Sequence, residues 1–363
     1  MLRTGDAMSA AVMTKAGAPL AEDDPDIILA VDGLETHFGR PPRVAKAVDD
    51  VTFRVRAGET VAVVGESGSG KSVASLSIMQ LLARGGRIAG GSIRFRQRSG
   101  TMIALDKLSQ KEMRKIRGAE IAMIFQEPMT SLNPLMTIGD QIAEMTMLHE
   151  PIGRTKALEH ARQMLELVEI PAAGNRLGDY PHQLSGGMRQ RVMIALALAC
   201  KPRLLIADEP TTALDVTIQK QILRLLERLQ AEMGMSMLFI THNLGVVAEI
   251  AHEVVVMYAG RVVEQAPMRE LFRKPRHPYT LGLLHATPNP ARDLAPSAGG
   301  EPAVRRRLTP IPGNVPSTTE LPDGCSFAPR CPLRIDACEA RKPPLVKVDP
   351  DHASRCIRHE ELS

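Results

Sequence analysis

At 363 residues the chain has room for about two domains. A formal net charge of +4 is too weak to argue for nucleic acid, and 3% aromatics with no Trp exclude stacking platforms for single strands. No apolar run approaches the roughly 20 residues of a membrane span, and Ala10 to Met13 is far too short for a signal-peptide core. The expectation is a cytoplasmic chain whose membrane role, if it has one, comes through a partner.

In chain order, residues 1–26 read as a mobile tail, Ala-rich and ending in the acidic Glu22-Asp23-Asp24-Pro25-Asp26. Ile27 to Phe38 alternates like a strand, and Val51 to Val55 reads as a second. The apolar run Val61 to Val64 reads as a buried parallel strand and Val73 to Leu82 as a helix. Gly91 to Phe95 and Ile121 to Phe125 are further strands, with the charged segment Lys107 to Arg117 between them. A helical insertion over about residues 127–190 contains two helical patterns, Thr137 to Met147 and Arg154 to Ile170. Beyond it come a helix ending near Ala199, a strand Arg203 to Ala207, an amphipathic helix Ile218 to Glu232, a strand Met237 to Thr241 and a hairpin Glu253 to Val263. From about residue 266 prolines and arginines rise and periodicity falls, which marks a linker or second module over 266–363.

Between the Val61 to Val64 strand and its helix lies Gly65-Glu66-Ser67-Gly68-Ser69-Gly70-Lys71-Ser72. Strand, Gly-rich turn and helix, with GKS at the turn, form the Walker A phosphate-binding loop. Its glycines let backbone N–H groups wrap a polyphosphate, and the helix N-terminus adds its positive end. Lys71 can reach the outer phosphates and the Ser72 hydroxyl can ligate magnesium.

Asp208 closes the apolar run Leu204 to Ala207, a Walker B carboxylate suited to that magnesium. Glu209, next in sequence, is placed to act as general base on the attacking water. Ser185-Gly186-Gly187 opens a helix and offers a second anion site. Gln126 and His242 each terminate an apolar strand, where a polar side chain can sense the γ-phosphate, the metal or the lytic water. Phe38 can stack on adenine.

The order Walker A, Gln126, signature Leu184 to Gln190, Walker B with its glutamate, Thr212-Ala213-Leu214-Asp215 and switch His242 resembles the nucleotide-binding subunit of an ATP-binding cassette (ABC) transporter over about residues 27–265. The resemblance implies an α/β P-loop NTPase, a RecA-like ABC ATPase core with a helical subdomain and a small Cys-containing C-terminal extension. It places Asp215 with the nucleotide-binding residues and Gln126 with Ser72 and Asp208 at Mg2+. Ile124 to Pro134, Arg276 to Leu284, Ile311-Pro312-Gly313 and Gly324 to Pro332 resemble the oligopeptide/dipeptide/nickel permease ATPases, of the dipeptide-permease-D-like type. Met188 stands where the general signature has glutamine, and Asn243 follows His242 where aspartate is frequent.

The resemblance implies ATP hydrolysis at the cytoplasmic face of the plasma membrane, driving import of di- or oligopeptides, with nickel or glutathione as alternative cargo. The implied partners are a second ATPase subunit, two transmembrane permease subunits and an external substrate-binding protein, without nucleic acid. A soluble, non-transport ABC ATPase is the rival reading, but the stretch between Ser72 and Ser185 is too short for the long coiled coil of DNA-repair versions. Four of the five cysteines, Cys325, Cys331, Cys338 and Cys356, lie in the extension. In a reducing compartment they suggest a tetrathiolate metal site, and their wide spacing with the family resemblance favours a [4Fe-4S] cluster over zinc. Cys200 reads as a core residue.

Overall fold

The computed structural model describes residues 24–126, 131–212, 214–288 and 309–362. Most of the expected N-terminal tail (1–23), the Glu127 to Thr130 part of the permease-like motif and Ala213 lie outside the described residues.

Two sheets organise the chain. The smaller is antiparallel, in the order β2-β1-β4-β5, built from β1 (Ile27–Arg40), β2 (Arg43–Arg56), β4 (Gly86–Arg96) and β5 (Met102–Ala104). The larger has eight strands in the order β11-β12-β10-β9-β3-β8-β7-β6. Its parallel centre contains β3 (Thr60–Val64), β6 (Ile121–Ile124), β7 (Leu204–Asp208), β8 (Ser236–Thr241) and β9 (Glu253–Tyr258). β10 (Arg261–Pro267), β11 (Val346–Asp349) and β12 (His352–Ser354) extend one edge by antiparallel pairing, so the C-terminal segment is continuous with the main sheet.

The register levels the strand ends. Val64 pairs with Thr241, Asp208 with Ile240 and Ile124 with Ala207. Parallel strands that stop level deliver their next residues to one edge, the carboxyl edge at which open α/β sheets bind ligands. Those next residues are Gly65, His242, Glu209 and, one step further on, Gln126.

Strand periodicity decides what covers each face. Val61 and Val63 pack with Ile28, Val55, Ile93 and Ile206 toward the small sheet. Their neighbours Ala62 and Val64 point the other way and pack with Val254, Val256, Tyr258, Tyr279 and Phe327. The face of the Walker A strand turned away from the small sheet is therefore covered by one apolar cluster that the helix Leu244–Ile250 and the C-terminal extension build together. Phe327 is 2% exposed, and burial of such a side chain contributes about 2–3 kcal/mol.

The helical region differs little from expectation. Helices occupy Ile138–His149, Arg154–Leu167 and Ala173–Arg176, and the signature opens Gly186–Leu198. The helix Val216–Met233 turns Ile222, Leu223, Leu225, Leu226 and Leu229 into the core and stops at left-handed Gly234. The charged segment after Lys107 contains a helix, Gln110–Ile116, whose N-terminus is closed by a reciprocal Ser109/Glu112 capping box. Leu244–Ile250, Met268–Arg273 and Pro278–Ala286 are also helical. Among the described residues no helix is long and apolar enough to cross a membrane.

The expectation of a metal cluster in the extension is corrected here. Cys325, Cys331, Cys338 and Cys356 do line one cavity, but its volume is about 20 Å³, shared with His277, Phe327 and Arg355. Among the described residues no group of three or more Cys, His, Asp or Glu side chains is arranged to hold a metal ion. Burial pushes the Cys325 and Cys331 thiols up, and Cys356 up to about 12. The case for a metal assumed that the extension lacked a core. It has one, in which Cys325 and Cys331 pack beside Phe327 as small apolar groups. Neither the [4Fe-4S] cluster nor its zinc alternative stands.

Candidate functional site

The loop Gly65 to Ser72 leaves β3 and enters the helix Lys71–Ile78. Gly65 (φ 154°) is obligatory for close approach, because a Cβ there would lie 2.2 Å from the Met257 carbonyl oxygen. Gly70 (φ 97°) is equally confined, its Cβ falling 2.4 Å from the Ala47 carbonyl oxygen. The loop is tied to the β9–β10 turn by the Gly260 N–H, which donates to the Ser69 carbonyl at 3.0 Å.

Lys71 is 6% exposed and folds back on the loop. Its Nζ donates to the Gly65 carbonyl at 2.7 Å, the Glu66 carbonyl at 2.9 Å and Ser69 Oγ at 3.4 Å. Burial pulls the ammonium below its ordinary pKa, opposed by the charges of Glu209, Asp208 and Glu66. The Ser72 hydroxyl donates to Asp208 Oδ1 at 3.2 Å. Burial raises the Asp208 carboxyl, with the Ser72 hydrogen bond opposing; the Glu209 charge adds to the rise and the Lys71 charge works against it.

Glu209 is the hub. Gln126 Nε2 donates to its Oε2 at 3.2 Å and the Thr212 hydroxyl to the same oxygen at 2.9 Å. His242 Nδ1 lies 3.1 Å from Oε1, and since a carboxylate can only accept, the ring donates. Burial would raise the Glu209 pKa, but the bonds from His242 and Thr212 and the nearby Lys71 charge outweigh it and hold the carboxyl below its ordinary value. Its backbone is left-handed (φ 48°), a conformation costing a non-glycine residue roughly 1–2 kcal/mol, pinned by its N–H donating to Ile240 O at 2.9 Å.

The structure thus brings Lys71, Ser72, Gln126, Asp208, Glu209 and His242 to one sheet edge. Gln126 was expected beside Ser72 and Asp208, but its amide turns to Glu209. Asn243 does not disturb His242: its side chain accepts from the Gly245 N–H and caps the next helix. Asp215 likewise caps the helix Val216–Met233, accepting from Thr217 and Ile218 N–H, both at 3.0 Å. Ser185 and Gly186 are exposed, and the Ser185 hydroxyl accepts from Met188 N–H at 3.3 Å. Phe38 sits half-buried on β1 against Gly86. Among the described residues no hydrogen bond joins Phe38, Ser185, Gly187 or Asp215 to the Glu209 network.

Three further residues have a place at this edge with no role assigned from sequence. Thr212 opens the Thr212-Ala213-Leu214-Asp215 motif, and its hydroxyl was the signal for a bond to Glu209. Tyr279 and Arg330 reach the Walker A loop from the extension, where they lie inside the family-like stretches Arg276 to Leu284 and Gly324 to Pro332.

Residues 48–212 match the family model of the ABC transporter, and residues 263–338 match the oligopeptide/dipeptide transporter C-terminal region. A putative peptide import ATP-binding protein of Brucella melitensis is 57% identical over 337 residues, 93% of this chain and 98% of that protein. The oligopeptide transport ATP-binding protein OppD of Escherichia coli is 46% identical over 350 residues, covering 96% and 98%; the dipeptide transport protein DppD of E. coli is 48% identical over 329, covering 91% and 96%. Among solved structures, a dimeric ATP-binding cassette in a post-hydrolysis state with ADP and Pi superimposes with a TM-score of 0.58 at 27% identity, covering 67% of this chain and 99% of that one. CbiO1 of Clostridium perfringens, part of the ABC transporter complex CbiONQ, also gives 0.58 at 27%, covering 68% and 91%. The chain has the P-loop fold of these cassettes and belongs to the ABC transporter ATP-binding proteins of the oligopeptide/dipeptide type.

Proposed function

We propose that this chain is the ATP-hydrolysing subunit of a bacterial importer of di- and oligopeptides, seated on the cytoplasmic face of the membrane against two permease subunits fed by an external binding protein. The observation that carries the reading is the single network at one sheet edge: an ionised Glu209 held by Gln126, Thr212 and His242, beside Lys71 and the Ser72–Asp208 pair. The named relatives are peptide, oligopeptide and dipeptide proteins, which favours peptides over nickel or glutathione, and transport over a soluble ABC ATPase.

In this reading Gly65 to Ser72 cradles the triphosphate, Lys71 neutralises its outer phosphates, and Phe38 stacks on the adenine. The Ser72 hydroxyl and the Asp208 carboxylate, an oxygen pair 3.2 Å apart, fit a magnesium ion, which would offset phosphate charge when bound. Glu209 takes the proton of the attacking water, while Gln126 and His242 orient that water and report the γ-phosphate. Residues 27–265 form the ATPase domain, with a helical subdomain over about 127–190, and 266–363 the extension.

A groove of about 800 Å³ suits the permease. Phe125, Met145 and Leu148 line it together with Arg114, Lys115 and Arg117. Phe125 is 39% exposed and directly precedes Gln126, so an apolar permease helix seated there would touch the chain one residue from the Glu209 network. Co-expression with the two permease subunits should yield a co-purifying complex that takes up labelled dipeptide only with ATP. A chain that stays alone, or uptake indifferent to ATP, refutes the importer.

Exposure of Ser185 and Gly186 suits a second ATPase subunit whose nucleotide they would complete. If that partner differs from this chain, Ser185→Arg should slow hydrolysis at the partner's Walker A more than at this chain's own. Equal rates at both sites in the mixed complex rule the arrangement out.

A further inference from the structure

Two strings in the extension have no part in the chemistry above, and both end on the same residue of the Walker A loop. The Tyr279 hydroxyl, on a fully buried ring, accepts from the Glu66 N–H at 2.8 Å. Arg330 grips the Glu66 carboxylate with both ends of its fork, Nη1 to Oε2 at 2.6 Å and Nη2 to Oε1 at 3.0 Å. The guanidinium is itself fixed. Its Nε donates to the Pro312 carbonyl at 2.8 Å, Nη2 to the Ile311 carbonyl at 3.3 Å, and Nη1 to the Tyr258 hydroxyl at 3.4 Å. The Arg330 side chain is 5% exposed against 30% for Glu66. A bidentate pair on a locked, desolvated fork is the geometry in which an ion pair does position its partner.

Glu66 needs such a hold. It is an anion inside a loop that must receive a more strongly charged anion, and its field already acts on the buried Lys71 ammonium. Released, the carboxylate could swing toward Lys71 and occupy the cation that ATP requires. Tyr279 fixes the backbone beneath the same residue and takes up its N–H.

We propose that Arg330 and Tyr279 are positioning residues of the nucleotide site: Arg330 neutralises Glu66 and holds it off Lys71, so that the C-terminal extension sets the affinity for ATP. The proposal rests on the reading of Gly65 to Ser72 as the nucleotide loop.

The test is a cycle on the full-length chain, reading ATP dissociation constant and the KM and kcat of hydrolysis. Arg330→Met should weaken ATP binding and raise KM about 10-fold or more, the loss typical of a charged hydrogen-bonded pair, with a much smaller change in kcat. In a Glu66→Gln background the same substitution should shift KM by no more than about 2-fold, because no carboxylate is left to compete. Arg330→Lys should recover part of the loss, and Tyr279→Phe should weaken binding by about 2- to 10-fold. A general structural defect would carry unchanged into the Glu66→Gln background, so equal effects in both backgrounds overturn the proposal, as does parental KM in Arg330→Met. If Arg330→Met does not fold, Arg330→Lys and Tyr279→Phe carry the test, and parental affinity in both overturns it. Lys71→Ala separates the two levels. Unchanged ATP binding there refutes the nucleotide loop itself; lost binding there with a null Arg330 cycle refutes only the positioning role.

Discussion

Glu209→Gln should bind ATP and hydrolyse it at least about 10²-fold more slowly, the loss expected when a positioned general base is removed. The substitution isolates the proton transfer. A glutamine amide matches the carboxylate in size, and its oxygen can still accept from Thr212 or His242, which lie 2.9 Å and 3.1 Å from the present carboxylate oxygens. It cannot take a proton from water. The change removes one of the three carboxylate charges that act on Lys71 but leaves its hydrogen bonds to Gly65, Glu66 and Ser69 of the Walker A loop in place. Because its partners hold the Glu209 pKa below the ordinary carboxylate value, the basic form is already present at neutral pH, and loss of it should appear as a fall in kcat. Affinity should be retained and the closed, ATP-loaded pair of subunits should accumulate. Single-turnover hydrolysis with labelled ATP measures the chemical step, and a rate near that of the parent would remove Glu209 from the role of base.

That Glu209 could be picked out at all reflects how local its signals are. The apolar run Leu204 to Ala207 and the two acids after it need only a strand and its end, and Val61 to Val64 with its glycine turn is equally self-contained. Parallel pairing then makes convergence unavoidable, since every strand delivers its C-terminal neighbour to the same edge. Gln126 and His242 follow that rule. The direction of the Gln126 amide does not, because it is settled by a partner, Glu209, that lies 83 positions away in sequence. Helix Gln110–Ile116 was hidden by its charge, although Ser109 and Glu112 stand at capping-box spacing. The contacts of Arg330 and Tyr279 with Glu66 span 264 and 213 positions, and no local pattern announces a partner so distant. The cysteines show the converse limit. Their spacing is visible, but whether they gather round an ion or pack into a core depends on the side chains around them, and Cys325 and Cys331 pack in the cluster of Phe327 and its aromatic neighbours, which come from elsewhere in the chain.

Lys71→Ala should reduce ATP affinity by about 10²-fold or more, as expected when one partner of a buried, hydrogen-bonded charge pair is removed. Three carboxylates, from Glu66, Asp208 and Glu209, act on the Lys71 ammonium, and the deletion leaves them to face the incoming triphosphate with that cation gone. Arg330 does not replace it, because both ends of its fork are committed to Glu66. The loop changes as well. Lys71 donates to the Gly65 and Glu66 carbonyls at 2.7 Å and 2.9 Å, so the ammonium also ties the two ends of the loop's first turn together. Alanine can make neither bond. The glycine geometry at Gly65 and Gly70 survives the substitution, since both positions are fixed by the backbone of Met257 and Ala47 and not by Lys71. The fold should therefore persist, with a melting temperature close to the parent's in the absence of nucleotide, while the added stability that ATP confers on the parent through linkage disappears. Calorimetric titration and thermal melts with and without ATP read the two quantities separately. ATP affinity within about 3-fold of the parent, under half a kcal/mol per factor of two, would show that the loop does not bind the triphosphate through Lys71.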